Sequence, residues 1–136
     1  SQYGSQCVVL SIDVRKTSHD SWSIYTSHPR KNLNTDLLSW LTECSKRGAG
    51  EILLTSVDGD GMRIGYDCDL INHVSKHLSL PLIASGGCGS VEHMIKALKS
   101  GASAVSAGTF FYTNDQNTMQ CRSQISNAGF PVRLGF

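Results

Sequence analysis

Four short stretches of this 136-residue chain carry residue types that could do chemistry. The first is Asp13, a carboxylate closing the apolar run Cys7-Val8-Val9-Leu10-Ser11-Ile12. Burying an unpaired carboxylate is costly, so Asp13 is expected either to cap the following loop or to work on a proton. General acid–base chemistry suits it, because a carboxyl stripped of water holds its proton closer to neutral pH. The second stretch is Thr55 with Asp58 and Asp60, inside the turn-rich Asp58-Gly59-Asp60-Gly61. The third is Ser85-Gly86-Gly87-Cys88-Gly89 and the fourth is Ala107-Gly108-Thr109. Small, glycine-rich stretches let backbone N–H groups approach an anion closely, and the positive end of a following helix adds to the attraction. The plainer role of the same glycines is to permit tight turns.

Hydrophobic periodicity supplies the elements that must position these residues. Residues 7–13 read as a buried strand, too short and too β-branched for a helix. Residues 15–20 are polar, 22–26 alternate as a short extra strand, and 28–34, with Pro29, read as a loop. Thr35 stands where it can cap a helix over 36–47, with Leu37, Leu38, Leu41 and Cys44 on one face and Gly48 and Gly50 stopping it. Further strands are expected over 51–57, 80–85 and 104–107, and further helices over 69–78, 90–100 and 118–127. The pattern is strand, loop, helix, four times over, which means a parallel α/β sheet. Eight such units close a β/α barrel of about 250 residues. The chain is therefore expected to be a single (βα)4 half of a TIM barrel over residues 1–136. Function in such sheets collects at the C-terminal strand ends, where Asp13, Thr55, Ser85 and Ala107 fall, and the last two loops are the usual phosphate cradle. A phosphorylated substrate follows from residue type and position together.

Other candidate clusters are weaker. Asp58-Gly59-Asp60-Gly61 resembles the start of a calcium loop, but Gly65-Tyr66-Asp67 stands where further ligands and a closing Glu are needed. His73 and His77, at i and i+4, have no third ligand and read as a solvated helix face. No metal and no cofactor is expected. Cys7, Cys44, Cys68, Cys88 and Cys121 are scattered singly and read as free thiols. Trp40 sits among leucines and reads as core, whereas Trp22 and Tyr25 on the extra strand either cover the barrel mouth or pack against it.

Composition excludes some classes. Twelve Lys and Arg against 11 Asp and Glu leave a net charge of +1, which argues against nucleic acid or a membrane surface as partner. No apolar run approaches the roughly 18 residues of a span. The stretch Ser1-Gln2-Tyr3-Gly4-Ser5-Gln6 lacks the basic and apolar regions of a signal peptide, so a cytoplasmic location is expected. A hydrophobic content of 40% with 13 Gly fits a folded chain rich in turns.

The residues from Lys46 through Glu51-Ile52-Leu53-Leu54-Thr55-Ser56-Val57-Asp58 to Gly61 resemble the cyclase subunit of imidazole glycerol phosphate synthase, the HisF family. Gly65-Tyr66-Asp67, residues 82–89, Glu92-His93 and the closing Gly129-Phe130-Pro131-Val132-Arg133-Leu134 continue the resemblance, and Ser11-Ile12-Asp13 matches the family's fifth strand. It covers nearly the whole chain but only the C-terminal half of the family's barrel. The resemblance implies a lyase of histidine biosynthesis that cyclises a doubly phosphorylated ribonucleotide with ammonia from a glutaminase partner. It implies that Asp13 transfers protons, that Thr55 and Ser85 contact substrate, and that Asp60, Gly61, Gly87 and Thr109 bind one phosphate. Glu51 matches a carboxylate of the family's ammonia gate at the base of the barrel. The family's other catalytic Asp, on its first strand, has no counterpart here. Residues 26–31 and 110–114 depart from the family pattern, and this drift resembles paralogues that deliver ammonia to sugars in surface-polysaccharide synthesis.

Four parallel units cannot close a barrel, and an isolated half is expected to expose two sheet edges and an apolar inner face. A homodimer would complete eight strands and set two copies of Asp13 across from one another. The alternatives are a half-barrel that binds phosphate without turnover, and a fragment, natural or truncated, that needs a complementary half.

Overall fold

The computed structural model describes residues 4–27 and 30–133. Ser1 to Tyr3, His28, Pro29 and Leu134 to Phe136 lie outside the described residues, so the readings placed on them stay where the sequence left them. In chain order the elements are a short 3-10 turn at Ser5–Cys7, then β1 Val9–Ser18, β2 Ser21–Ser27, β3 Arg30–Asp36 and α1 Leu37–Lys46. There follow β4 Glu51–Ser56, α2 Cys68–Ser75, β5 Leu82–Ser85, α3 Val91–Lys99, β6 Ala104–Val105, α4 Thr109–Thr113 and α5 Thr118–Asn127.

The sheet has the order β3-β2-β1-β4-β5-β6. The four strands β1, β4, β5 and β6 run parallel, each beside the next in sequence, as the four-unit reading requires. This is the arrangement of half a TIM barrel, with β2 and β3 added antiparallel at one side. Residues alternate strictly between faces: Ile52, Leu54 and Ser56 of β4 are buried while Glu51, Leu53 and Thr55 are only partly covered. Ile12, Val14, Ile52, Leu54, Leu82 and Ala84 form the covered face. Against it pack Leu37 and Leu41 of α1, Leu70, Ile71 and Val74 of α2, Val91, Met94 and Ala97 of α3, Phe110 of α4, and Cys121 and Ile125 of α5.

Capping fixes where the helices begin. The carboxylates of Asp36 and Asp67 accept from the backbone N–H of Ser39 and Leu70, and the Ser90 hydroxyl accepts from that of His93. Asn117 and Gln120 form a reciprocal capping box at α5. Gly48, at φ +105, lets the chain turn back after α1.

Several expectations need correction. The cap of α1 is Asp36, not Thr35, since it is the Asp36 carboxylate that reaches the first-turn N–H. The first strand does not stop at Asp13: it continues through the polar residues to Ser18, because β2 pairs with that extension from Val14 onward. The described part of the loop expected over 28–34 is strand β3, held by its pairing with β2 at Asn32 and Lys31. Polar composition concealed it, because an edge strand with solvent beside it needs no apolar alternation. Trp40 is not core; it is 41% exposed. It borders a groove of about 430 Å³ along Leu10, Ser11, Ile12 and Asp13, with Ile24 and Leu33 on the far side.

Leu41 is fully buried under the sheet. Leu41→Ala is expected to cost about 2–5 kcal/mol, and Leu38→Ala, at a half-buried position, distinctly less; chemical denaturation of the two variants checks the difference.

Candidate functional site

The uncovered face of the sheet is where the candidate residues meet. Asp13 of β1 is in register with Thr55 of β4, and Thr55 is in register with Ser85 of β5. Three polar side chains therefore form one row across three adjacent strands, on the face that no helix covers. One layer below lie Ser11, Leu53, Ile83 and Ala104, and below that the pair Val9 and Glu51. The inner face is thus a mixture of polar and aliphatic residues rather than the apolar surface expected from strand count. Glu51 sits at the N-terminal end of β4, some four residues and roughly 13 Å from Thr55, at the opposite end of the same face.

The Asp13 row runs into a cavity of about 90 Å³ lined by Asp60, Gly61, Ser85, Gly86, Gly87, Cys88, Ser106, Ala107, Gly108 and Thr109. Of the eight residues expected to bind substrate or phosphate, seven are in that lining: Asp60, Gly61, Ser85, Gly86, Gly87, Gly108 and Thr109. Asp13 and Thr55 are not among them; they stand beside the cavity along the row. Two glycines are required by geometry. Gly86 and Gly87 have φ of +87° and +99°, and a Cβ on Gly87 would strike the Gly65 carbonyl. That close approach accompanies a hydrogen bond from the Gly65 N–H to the Gly87 carbonyl, at 2.7 Å. One expectation is trimmed: the helix after Thr109 is the single turn Thr109–Thr113, so it adds little of a helix dipole.

Around the row, Asp58 accepts from the Lys16 N–H at 2.9 Å and pairs with Arg15 at 3.3 Å. The Arg15 guanidinium lies over the Tyr25 ring, 4.4 Å from its centroid, so Tyr25 packs at the mouth on the Asp13 side. Trp22 faces the other way. Its indole N–H donates to Asp67 at 2.8 Å, and its ring stacks on His73 with centroids 5.2 Å apart. His73 is accordingly half-buried rather than fully solvated, while His77 is exposed and its Nδ1 lies 2.7 Å from the His73 carbonyl. Among the described residues no group of three or more His, Cys, Asp or Glu side chains gathers to hold a metal. All five cysteines are free, with Cys88 and Cys121 buried. Burial pushes the Cys88 thiol up.

Ser106 of the cavity lining and Tyr66, outside that lining, escaped sequence reasoning. Ser106 gave no signal, since its strand is only two residues long. Tyr66 was visible as part of Gly65-Tyr66-Asp67 but had no assigned role. It is 7% exposed, and its hydroxyl donates to the Ser106 carbonyl at 2.9 Å. Burial first, and then its contact with the Cys88 thiol, push the Tyr66 hydroxyl well above the ordinary phenol range.

A family model described as "Histidine biosynthesis protein" matches residues 1–117. The chain is 53% identical over 132 residues to a Prochlorococcus marinus (strain MIT 9313) protein named "Putative imidazole glycerol phosphate synthase subunit hisF2", covering 97% of this chain and 51% of that protein. It is 43% identical over 134 residues to the "Imidazole glycerol phosphate synthase subunit HisF" of Wolinella succinogenes, and 43% to that of Dictyoglomus thermophilum. Each of these two alignments covers 98% of this chain and 53% of the relative. The chain thus spans about half the length of the curated relatives it matches. No helix among the described residues is long and apolar enough to cross a membrane.

Gly87→Ala is expected to lose about 1–3 kcal/mol or more, whereas Gly108→Ala is expected to stay within about 0.5 kcal/mol. Gly108 has φ −110° and open space where a Cβ would go. Thermal melts of the pair test whether the cavity wall, rather than glycine content, carries the constraint. A second expectation concerns alkali. The Tyr66 value is raised in the folded state, so its contribution is complete below the unfolded phenol value of about 10 and is lost as pH rises past it. Between about pH 10 and 11.5, wild-type stability is expected to fall more steeply than that of Tyr66→Phe.

Proposed function

Since the chain belongs to the histidine biosynthesis protein family, on its HisF side, we propose that it is the C-terminal half of an ammonia-using cyclase acting on a phosphorylated ribonucleotide. The observation that carries the proposal is the registered row Asp13, Thr55, Ser85 leading into the glycine-lined cavity. Backbone N–H groups along Gly86, Gly87, Gly108 and Thr109, with Asp60 and Gly61 closing the loop, hold one terminal phosphate. Thr55 and Ser85 offer hydroxyls to the part of the substrate lying between that phosphate and Asp13. Asp13 moves a proton as ammonia adds and the ring closes. Ammonia enters from the end marked by Glu51, where a glutaminase subunit docks. No cofactor enters this chemistry, and none of it calls for nucleic acid or a membrane.

The reaction needs a second half. Asp13 is only partly covered here, and a proton-transfer carboxylate works best where closure excludes water. We assign that half to a second copy of the chain. The groove along Leu10, Ser11, Ile12 and Asp13 follows the stretch of β1 that pairs with β4 on one side while β2 takes up β1 only from Val14 onward. A strand from another half fits there, flanked by the exposed Trp40. In a two-fold dimer the partner's Asp13 stands opposite and supplies the second acid–base group. A separate complementary half would fill the same place.

One observation favours a second reading, a paralogue delivering ammonia to a sugar. The departing stretch 110–114 falls within and just after α4, directly beyond Thr109 at the cavity, and it presents Phe111 and Tyr112 at 37% and 92% exposure. Such a rim suits a sugar ring stacked on an aromatic as well as it suits a nucleotide.

Turnover with ammonium as nitrogen donor tests the first reading. The family's ribonucleotide is expected to be cyclised, and Asp13→Asn is expected to lower the rate by about 100-fold or more while leaving the melting temperature nearly unchanged. Phosphate-dependent thermal stabilisation without turnover would instead support a binding half-barrel.

A further inference from the structure

The cavity has two glycine-rich walls on different strands, and the fold supplies little to hold them together. One wall, Ser85 to Cys88, continues from β5, which is paired on both sides, by β4 and β6. The other, Ser106 to Thr109, continues from β6, an edge strand of two residues. The ladder between them is registered only at Ile83 with Ala104 and Ala84 with Val105. It is extended by Ser103 N–H to the Leu82 carbonyl and Ser106 N–H to the Ala84 carbonyl, both 2.8 Å. Past Ser106 the chain enters the one-turn α4.

A single dipeptide from a third segment touches both walls. The Gly65 N–H donates to the Gly87 carbonyl at 2.7 Å, and the Tyr66 hydroxyl donates to the Ser106 carbonyl at 2.9 Å. The dipeptide is itself anchored. The next residue, Asp67, accepts from Leu70 N–H at 3.0 Å as the cap of α2 and from the Trp22 indole at 2.8 Å. We propose that Tyr66 is a positioning residue whose hydroxyl fixes the Ser106–Thr109 wall at the distance from Gly86 and Gly87 that an anion requires. The inference rests on the reading of this cavity as a phosphate site and names the group that sets its width. The phenol ring belongs to the buried core, so Phe keeps the packing while removing the hydroxyl's bond to Ser106 together with its contact to the Cys88 thiol.

The experiment titrates the full chain with inorganic phosphate and with ribose 5-phosphate, following backbone amide signals of Gly87, Ala107, Gly108 and Thr109. Three proteins are compared: wild type, Tyr66→Phe, and a variant carrying 4-aminophenylalanine at position 66, which restores a donor. Losing one neutral hydrogen bond is expected to weaken phosphate binding about fivefold in Tyr66→Phe. Ala107 to Thr109 should shift in the free protein while Gly87 shifts little, and the amino variant should recover most of the affinity. Equal affinity in wild type and Tyr66→Phe would overturn the positioning role while leaving the phosphate site standing. An unfolded Tyr66→Phe would also overturn it, because the hydroxyl would then serve the fold. Absence of phosphate binding in wild type would overturn the site itself, and with it the role of Tyr66.

Discussion

Helices cover only one face of the parallel sheet, and everything functional about the chain follows from the face left open. Among the described residues, the buried positions of β1, β4 and β5 are apolar apart from Ser56, which fixes the register of each strand, since a slip of one residue would bury Asp13 and Thr55 and expose Ile12 and Leu54. With register fixed, Asp13, Thr55 and Ser85 must fall in one row. Hydrophobic burial on one side thus positions polar chemistry on the other, without any direct contact between the two.

The row leads to a cavity made by backbone rather than by side chains. One of its walls is shaped by the positive-φ glycines Gly86 and Gly87, packed against the Ser56 and Gly65 carbonyls. Such walls are rigid where a ladder or a buried hydroxyl holds them and loose where neither does. The short β6 is the weak place, and Tyr66 is the buried group that reaches it.

Much of this was legible in the sequence because it depends on patterns the sequence displays openly. Apolar runs over 7–13, 51–57 and 80–85 read as parallel strands, and the glycines at 86–87 and 108 read as an anion-binding stretch, where the cavity lies. The helix Thr118–Asn127 is legible with the same bounds, with Gly129 just beyond its end. What was not legible depends on partners distant in sequence. The polar strand β3 exists because β2 pairs with it, and no apolar alternation announces that. Trp40 sits among leucines at helical spacing, yet it borders the groove along Leu10 to Asp13 of β1. Tyr66 lies 40 residues from the carbonyl it holds.

One side of β1 from Val9 to Asp13 is taken by β4 and the other borders a groove, and we propose that a second copy of the chain fills that groove and supplies the other half of the barrel. Sedimentation equilibrium of the chain alone measures this most directly. The account predicts a species of twice the 14.7 kDa chain mass, with dissociation and unfolding coupled so that the melting temperature rises with concentration. A 14.7 kDa monomer that melts cooperatively at a concentration-independent temperature would contradict it.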